Sequence, residues 1–172
     1  GGPEAVVFGT LIDWAAHPNE AIRFYSGEAK YRHTFDLPPD FHSLDRIELD
    51  LGRVAVMANV TLNDHNFGIL WKPPYRVNIT DALRPGENRL ELRIVNLWIN
   101  RMIGDEELAE DSQRNANGTL KQWPDWVIRN QPSPTGRHTF TSWRLWQKSE
   151  QLQPSGLLGP VQLLPWKHLE IE

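Results

Sequence analysis

The chain contains no cysteine, which excludes disulfides, thiolate metal sites and cysteine nucleophiles. The lack says little about compartment, because exported bacterial proteins also do without thiols. No apolar run approaches the roughly 20 residues that a bilayer-spanning helix needs, so the chain is not expected to cross a membrane. Nor is there a basic stripe. The 18 Lys and Arg are intermixed with 22 Asp and Glu for a formal charge of −4, which leaves nothing to neutralise phosphates and argues against nucleic acid as a partner. HExxH, GxSxG, P-loop and dinucleotide fingerprints are all missing, removing support for zinc, esterase, NTPase and NAD chemistry. The histidines at 17, 33, 42, 65, 138 and 168 are scattered without ligand spacing, and His33 reads as a satisfied core residue on the inward face of a strand. Calcium has no linear signature of this kind, so a structural calcium stays open while no other cofactor is expected. The opening GGPEAVVF lacks the basic, apolar and small-residue order of a signal peptide. The fragment is therefore intracellular, already processed or cut from a larger chain, and the last is the reading adopted.

What the chain does have is strand pattern. Residues 29–37 alternate Tyr31, His33, Phe35 and Leu37 against Lys30, Arg32, Thr34 and Asp36, and Pro38-Pro39 ends the run. Similar runs are expected at 47–51, 54–62, 67–71, 75–79 and 90–94, with a short opening strand at 5–8 and one helical turn after Pro18. GLLGPVQLLP supplies a closing segment in which Val161 and Leu163 face inward. Short strands separated by turn signals, with no long 3.6-period helix and no repeat, predict a two-sheet sandwich in one domain spanning residues 1–172.

The exception is residues 96–146, which hold five of the eight tryptophans and no sustained alternation. So long an irregular excursion is uncommon in a compact all-β domain unless it is functional or disordered, and its aromatic content argues against disorder.

Several stretches resemble a known family: IRFYSGEAKYRHTF at 22–35, LDLGRVAVMANVTLND at 49–64, GILWKPPYRVNITDALRPGENRLELRIVNLWINRMIGD at 68–105 and PSGLLGPVQLLP at 154–165. They are similar to the galactose-binding-like β-sandwich that accompanies catalytic barrels in glycoside hydrolases. The likeness extends to the sugar-binding domain of family 2 enzymes, and more closely to the C-terminal sandwich of family 106 α-L-rhamnosidases. The resemblance implies an all-β jelly-roll sandwich with one long Trp-rich loop insertion. It also implies a non-catalytic carbohydrate-binding module of a bacterial, plant-polysaccharide-degrading enzyme, secreted or periplasmic. Its partners would be a plant polysaccharide or oligosaccharide and the parent catalytic domain. The chain departs from the family where Asp64 follows Asn63 in place of glycine, which predicts a longer loop than a type I′ hairpin. It departs again at 111–134, longer and richer in tryptophan than the family pattern.

Sugar recognition needs flat apolar faces for pyranose C–H groups and planar polar groups for adjacent hydroxyls. The long segment offers Trp123, Trp126 and Trp146 with Lys121, Asp125, Arg144, Arg101 and Asp105. Trp14, Trp98 and Trp143 read as structural anchors instead. The pair in WPDW lies between polar, proline-bearing stretches, where exposed aromatics need a ligand or partner surface. Arg101 and Asp105, four apart, read either as ligand contacts or as a salt bridge pinning a structural turn at NLWINRMIGD. Asp105, Glu106, Glu107, Glu110 and Asp111 cannot face one another across a scissile bond as glycosidase carboxylates do, and read as a solvated face or a helix start. Beside carbohydrate binding stands a second reading, a structural accessory domain that packs on a catalytic barrel and binds nothing alone.

Overall fold

The computed structural model describes residues 2–167, so His168 lies outside the described residues. The chain forms two compact units. One comprises Val7–Asp13, Gly27–Asn96 and the residues from Ser155 onward, and it carries every strand. Its strands are β1 (Glu28–Leu37), β2 (Arg46–Asp50), β3 (Arg53–Ala55), β4 (Met57–Leu62), β5 (His65–Leu70), β6 (Arg76–Asn78), β7 (Gly86–Val95), β8 (Gly156–Gly159) and β9 (Gln162–Trp166). All pair antiparallel, in sheets ordered β1-β7-β4-β5, β6-β2-β9 and β3-β8. This is the all-β sandwich architecture that the strand pattern predicts, consistent with the galactose-binding-like fold that the resemblance implies.

The period-2 pattern selects the core. Ala58, Val60 and Leu62 of β4 and Ile94 of β7 are fully buried, joined by Leu90, Leu92, Ile47 and Leu49 on their strands. Each large aliphatic side chain so buried contributes about 1.5–3 kcal/mol.

Four expectations need correction. Residues 5–8 form no strand; Phe8 instead stacks its ring on Tyr31 at 6.0 Å. His33 is exposed, because β1 lies at the sheet edge and only Leu37 on its inward row is buried; the imidazole stacks on Phe35. The run 54–62 divides at Val56, whose N–H goes to the Val95 carbonyl at 3.1 Å, so β3 pairs with β8 while β4 lies between β7 and β5. The closing segment likewise divides into β8 and β9. Leu157 is its buried residue, while Val161 and Leu163 are half-buried.

The β4–β5 connection also differs from expectation. Leu62 pairs with His65, so the turn is only Asn63-Asp64, and both residues have left-handed φ, +49° and +72°. That is the type I′ conformation that glycine usually serves. It holds here because the Asn63 side chain is buried and fixed on three sides. Its Nδ2 donates to the Ala82 carbonyl (2.8 Å) and to Asn88 Oδ1 (2.7 Å), and its Oδ1 accepts from Arg89 N (2.9 Å).

The second unit comprises the first residues to Val6, Trp14–Ser26 and Leu97–Pro154. It contains a 3-10 turn at Trp14–Ala16 and three short helices, α1 (Glu20–Arg23), α2 (Ile99–Asp105) and α3 (Asp125–Ile128). Asn19 caps α1 by accepting from Ala21 N. NLWINRMIGD, expected as a turn, forms α2, with Asn100, Ile103, Gly104 and Asp105 as its buried face.

Candidate functional site

In the second unit polar contacts hold together an irregular chain. Asp105 ends α2 and is 1% exposed. Its Oδ2 accepts from His138 N (2.9 Å), Thr139 N (2.7 Å) and Thr139 Oγ1 (2.7 Å). Its Oδ1 faces Arg101 Nε at 3.0 Å, the four-residue ion pair that the spacing suggests. That contact is electrostatic, since the N–H direction misses the oxygen and neither atom has a directed hydrogen bond.

The neighbouring acids are not a helix start, and only part of the cluster is a solvated face: Glu107 and Glu110 are exposed while Glu106 and Asp111 are half-buried. They follow the C-terminal end of α2, where two arginines hold Glu106 and Glu110, and Asp111 accepts from the Ser112 and Ser133 hydroxyls. Arg137 bonds Glu106 at 2.8 Å and donates to the carbonyls of Ala109 and Leu108, both at 3.0 Å. Arg144 pairs with Glu106 and Glu110. Arginine's rigid five-donor fork satisfies several acceptors at once, which explains how a segment with little sheet or helix is held together. Arg144 and Trp146 line a crevice of only about 20 Å³, together with Arg114 and Phe140.

The WPDW pair separates into two roles. Trp126 is half-buried, with Nε1 donating to the Asp111 carbonyl at 3.0 Å and its ring edge-on to Phe140 at 5.4 Å. Trp123 contacts Phe140 at 5.6 Å and remains 58% exposed. Phe140 thus supports a ledge whose outer ring is Trp123. Lys121 and Asp125 are exposed on the flanking chain, and Asp125 pairs loosely with Arg129 at 3.6 Å.

Arg101 belongs elsewhere, to a cleft of about 260 Å³ lined by Tyr25, Ser26, Trp98, Arg101, His138 and Thr139, while Asp105 is buried and pairs with Arg101 without lining the cleft. Trp98, expected as an anchor, is 65% exposed because it precedes the first residue of α2, whose buried face begins two residues later. Trp143 is also more than half exposed, although its Nε1 fixes the Asn117 carbonyl at 2.9 Å; Trp14 is the buried anchor.

A family model described as glycosyl hydrolase 2 galactose-binding domain-like matches residues 14–147. The chain belongs to this family. A Formosa agariphila protein named "Putative beta-glucuronidase" is 45% identical over 159 residues, 92% of this chain and 14% of that protein. The structure of a rhamnosidase from Novosphingobium sp. PP1Y superposes with a TM-score of 0.74 at 31% identity, covering 95% of this chain and 13% of the rhamnosidase. This galactose-binding-like domain therefore spans about one-seventh of the relatives it matches, and is a domain of a glycoside hydrolase-like protein.

Of the residues that line this cleft, the sequence pattern singled out Arg101, along with its buried partner Asp105, but not Tyr25, Ser26, His138 or Thr139. No local pattern joins residues so far apart in the chain. The usable signal was Asp105 itself, since a carboxylate on the buried face of a short helix requires donors from another segment.

Among the described residues no three His, Asp or Glu side chains come together as a set able to hold a metal, and no helix is long and apolar enough to cross a membrane.

Proposed function

We propose that this galactose-binding-like domain is a non-catalytic carbohydrate-binding module of a plant-polysaccharide-degrading glycoside hydrolase, acting as one domain over residues 1–172, exported by a bacterium and needing no cofactor. The observation that carries the reading is the Trp123 ledge. A large aromatic face is held open to solvent by Phe140 beneath it, with exposed Lys121 and Asp125 beside it. Such a face matches pyranose C–H surfaces, and its rigidity reduces the ordering cost of binding. The names of the two relatives, "Putative beta-glucuronidase" and a rhamnosidase, support a saccharide as the ligand class. Catalysis is set aside on geometry. The acids at 105, 106 and 110 are engaged by backbone donors and arginines and so are not free to act as a pair across a glycosidic bond.

Affinity electrophoresis of the isolated chain in gels containing plant polysaccharides tests this. Retardation that Trp123→Ala abolishes, at unchanged melting temperature, is expected; no retardation by any polysaccharide overturns it.

A structural accessory role has its own support. In the strand-bearing unit Ile69, Trp71 and Trp166 are 60%, 67% and 53% exposed, apolar area suited to the remainder of a longer protein. Tryptophan fluorescence separates the two, since glycan titration that perturbs emission of the unmodified chain but not of Trp123→Ala reports binding at the ledge.

A further inference from the structure

We propose that the cleft at the start of α2 is a second, separate binding site, for a single sugar ring that carries a carboxylate. The proposal rests on the carbohydrate reading only for the ligand class.

The cleft is constructed as a binding site. Tyr25 and Trp98 contribute aromatic surface, and Tyr25 is braced edge-on by the buried Trp14 at 5.7 Å. Ser26 Oγ donates to the Leu97 carbonyl (2.9 Å) and accepts from Arg101 N (3.3 Å), which ties one wall to α2. Asp105 ties the other wall by holding the backbone of His138 and Thr139. Positioned walls are what allow a small pocket to bind without reorganising.

The lining decides the ligand's charge. Arg101 and His138 are its ionisable groups besides Tyr25, and no carboxylate lines it. The Arg101 side chain is only 15% exposed, and its guanidinium lies 5.7 Å from the Phe24 ring. Asp105 balances its charge, yet the buried Nε makes no directed hydrogen bond among the described residues. A mostly buried guanidinium whose Nε donor is unused favours a planar acceptor, and a carboxylate meets that fork in bidentate fashion. Asp105 does not cancel the attraction, because one of its oxygens is committed to three other donors.

Size sets the rest. The 260 Å³ of the cleft falls just under the range of about 300–1,000 Å³ typical of drug-sized ligands, so it takes one ring and not a chain. The ligand is therefore a uronic acid residue, its ring face on Trp98 and its carboxylate on Arg101.

The test is titration of the whole chain with sodium glucuronate and galacturonate against glucose and galactose, followed by 15N–1H NMR shifts. Uronates are expected to shift the amides of residues 98–101 and 138–139, with neutral sugars at least about tenfold weaker. Trp98→Ala, at an exposed position, is expected to weaken uronate binding roughly tenfold at unchanged melting temperature. Arg101→Lys keeps the ion pair but loses the fork, and is expected to abolish the preference for uronates. Uronate binding that persists in Trp123→Ala supports this site whatever the ledge does. Equal affinity for acidic and neutral sugars, or uronate binding unchanged in Trp98→Ala, overturns it.

Discussion

Asp105 shows how much one carboxylate can organise. It satisfies two backbone N–H groups and a hydroxyl, and it balances Arg101. Removing it orphans all four at once. Asp105→Ala is therefore expected to cost about 3–5 kcal/mol in urea denaturation, the range for breaking a buried pair. Trp98→Ala is expected to stay within about 0.5 kcal/mol. A loss below about 1 kcal/mol for Asp105→Ala would mean that the four donors find other partners. The spacing of Arg101 and Asp105 made their pairing legible in the sequence. The donors from residues 138 and 139 were not, because a hydrogen bond across 33 residues leaves no periodic trace. Tryptophans were illegible for a different reason: Trp14 at 2% and Trp98 at 65% exposure share one hydrophobic payload, and only their surroundings distinguish them.

Among the elements, the β4–β5 hairpin carries the clearest balance of local strain against tertiary contact. Asp64 at φ +72° adopts a left-handed conformation that costs a non-glycine residue about 1–2 kcal/mol. Asp64→Gly is expected to raise stability by roughly 0.5–1 kcal/mol, less than the full relief because glycine also loosens the unfolded chain. Asn63→Ala is expected to lower it by more than about 2 kcal/mol, since Asn88 and Arg89 N then lose a buried partner. Thermal melts of the two variants, moving in opposite directions, check the pair. Strands were readable wherever alternation coincided with burial, as in β4 and β7. The reading failed for His33, where alternation continued onto a sheet edge, and at Val56, where one continuous run served two sheets.

For the whole molecule, the two units hold their order by different means. The strand-bearing unit follows the period-2 rule and was largely legible as a sandwich. The unit containing residues 97–154 relies on arginines that cross between distant segments, a scheme without sequence period. Arg137, with its side chain 8% exposed against Glu106 at 16%, is the central case. Arg137→Met is expected to destabilise by about 3 kcal/mol, because it leaves Glu106 and two backbone carbonyls short of donors. One-molar salt is expected to change the melting temperature of the unmodified chain far less, since buried pairs are weakly screened. A melt that falls as far in salt as in the variant would place these ion pairs in solvent.

The bonds from Asp105 to residues 138 and 139 also have a topological meaning. They close residues 106–137 into a loop whose ends cannot separate while the carboxylate is in place. Closing a flexible loop of that length costs about 3–4 kcal/mol in chain entropy, the term a cross-link removes from the unfolded chain. In a chain without cysteine, one aspartate thus joins the ends of this loop in the folded state alone: it must offset that closure cost on folding, leaves the unfolded chain unconstrained as a disulfide would not, and is indifferent to reductant. Hydrogen exchange should register this as a single event, in which the amides of the 106–137 loop open together while those of β4 and β7 stay closed.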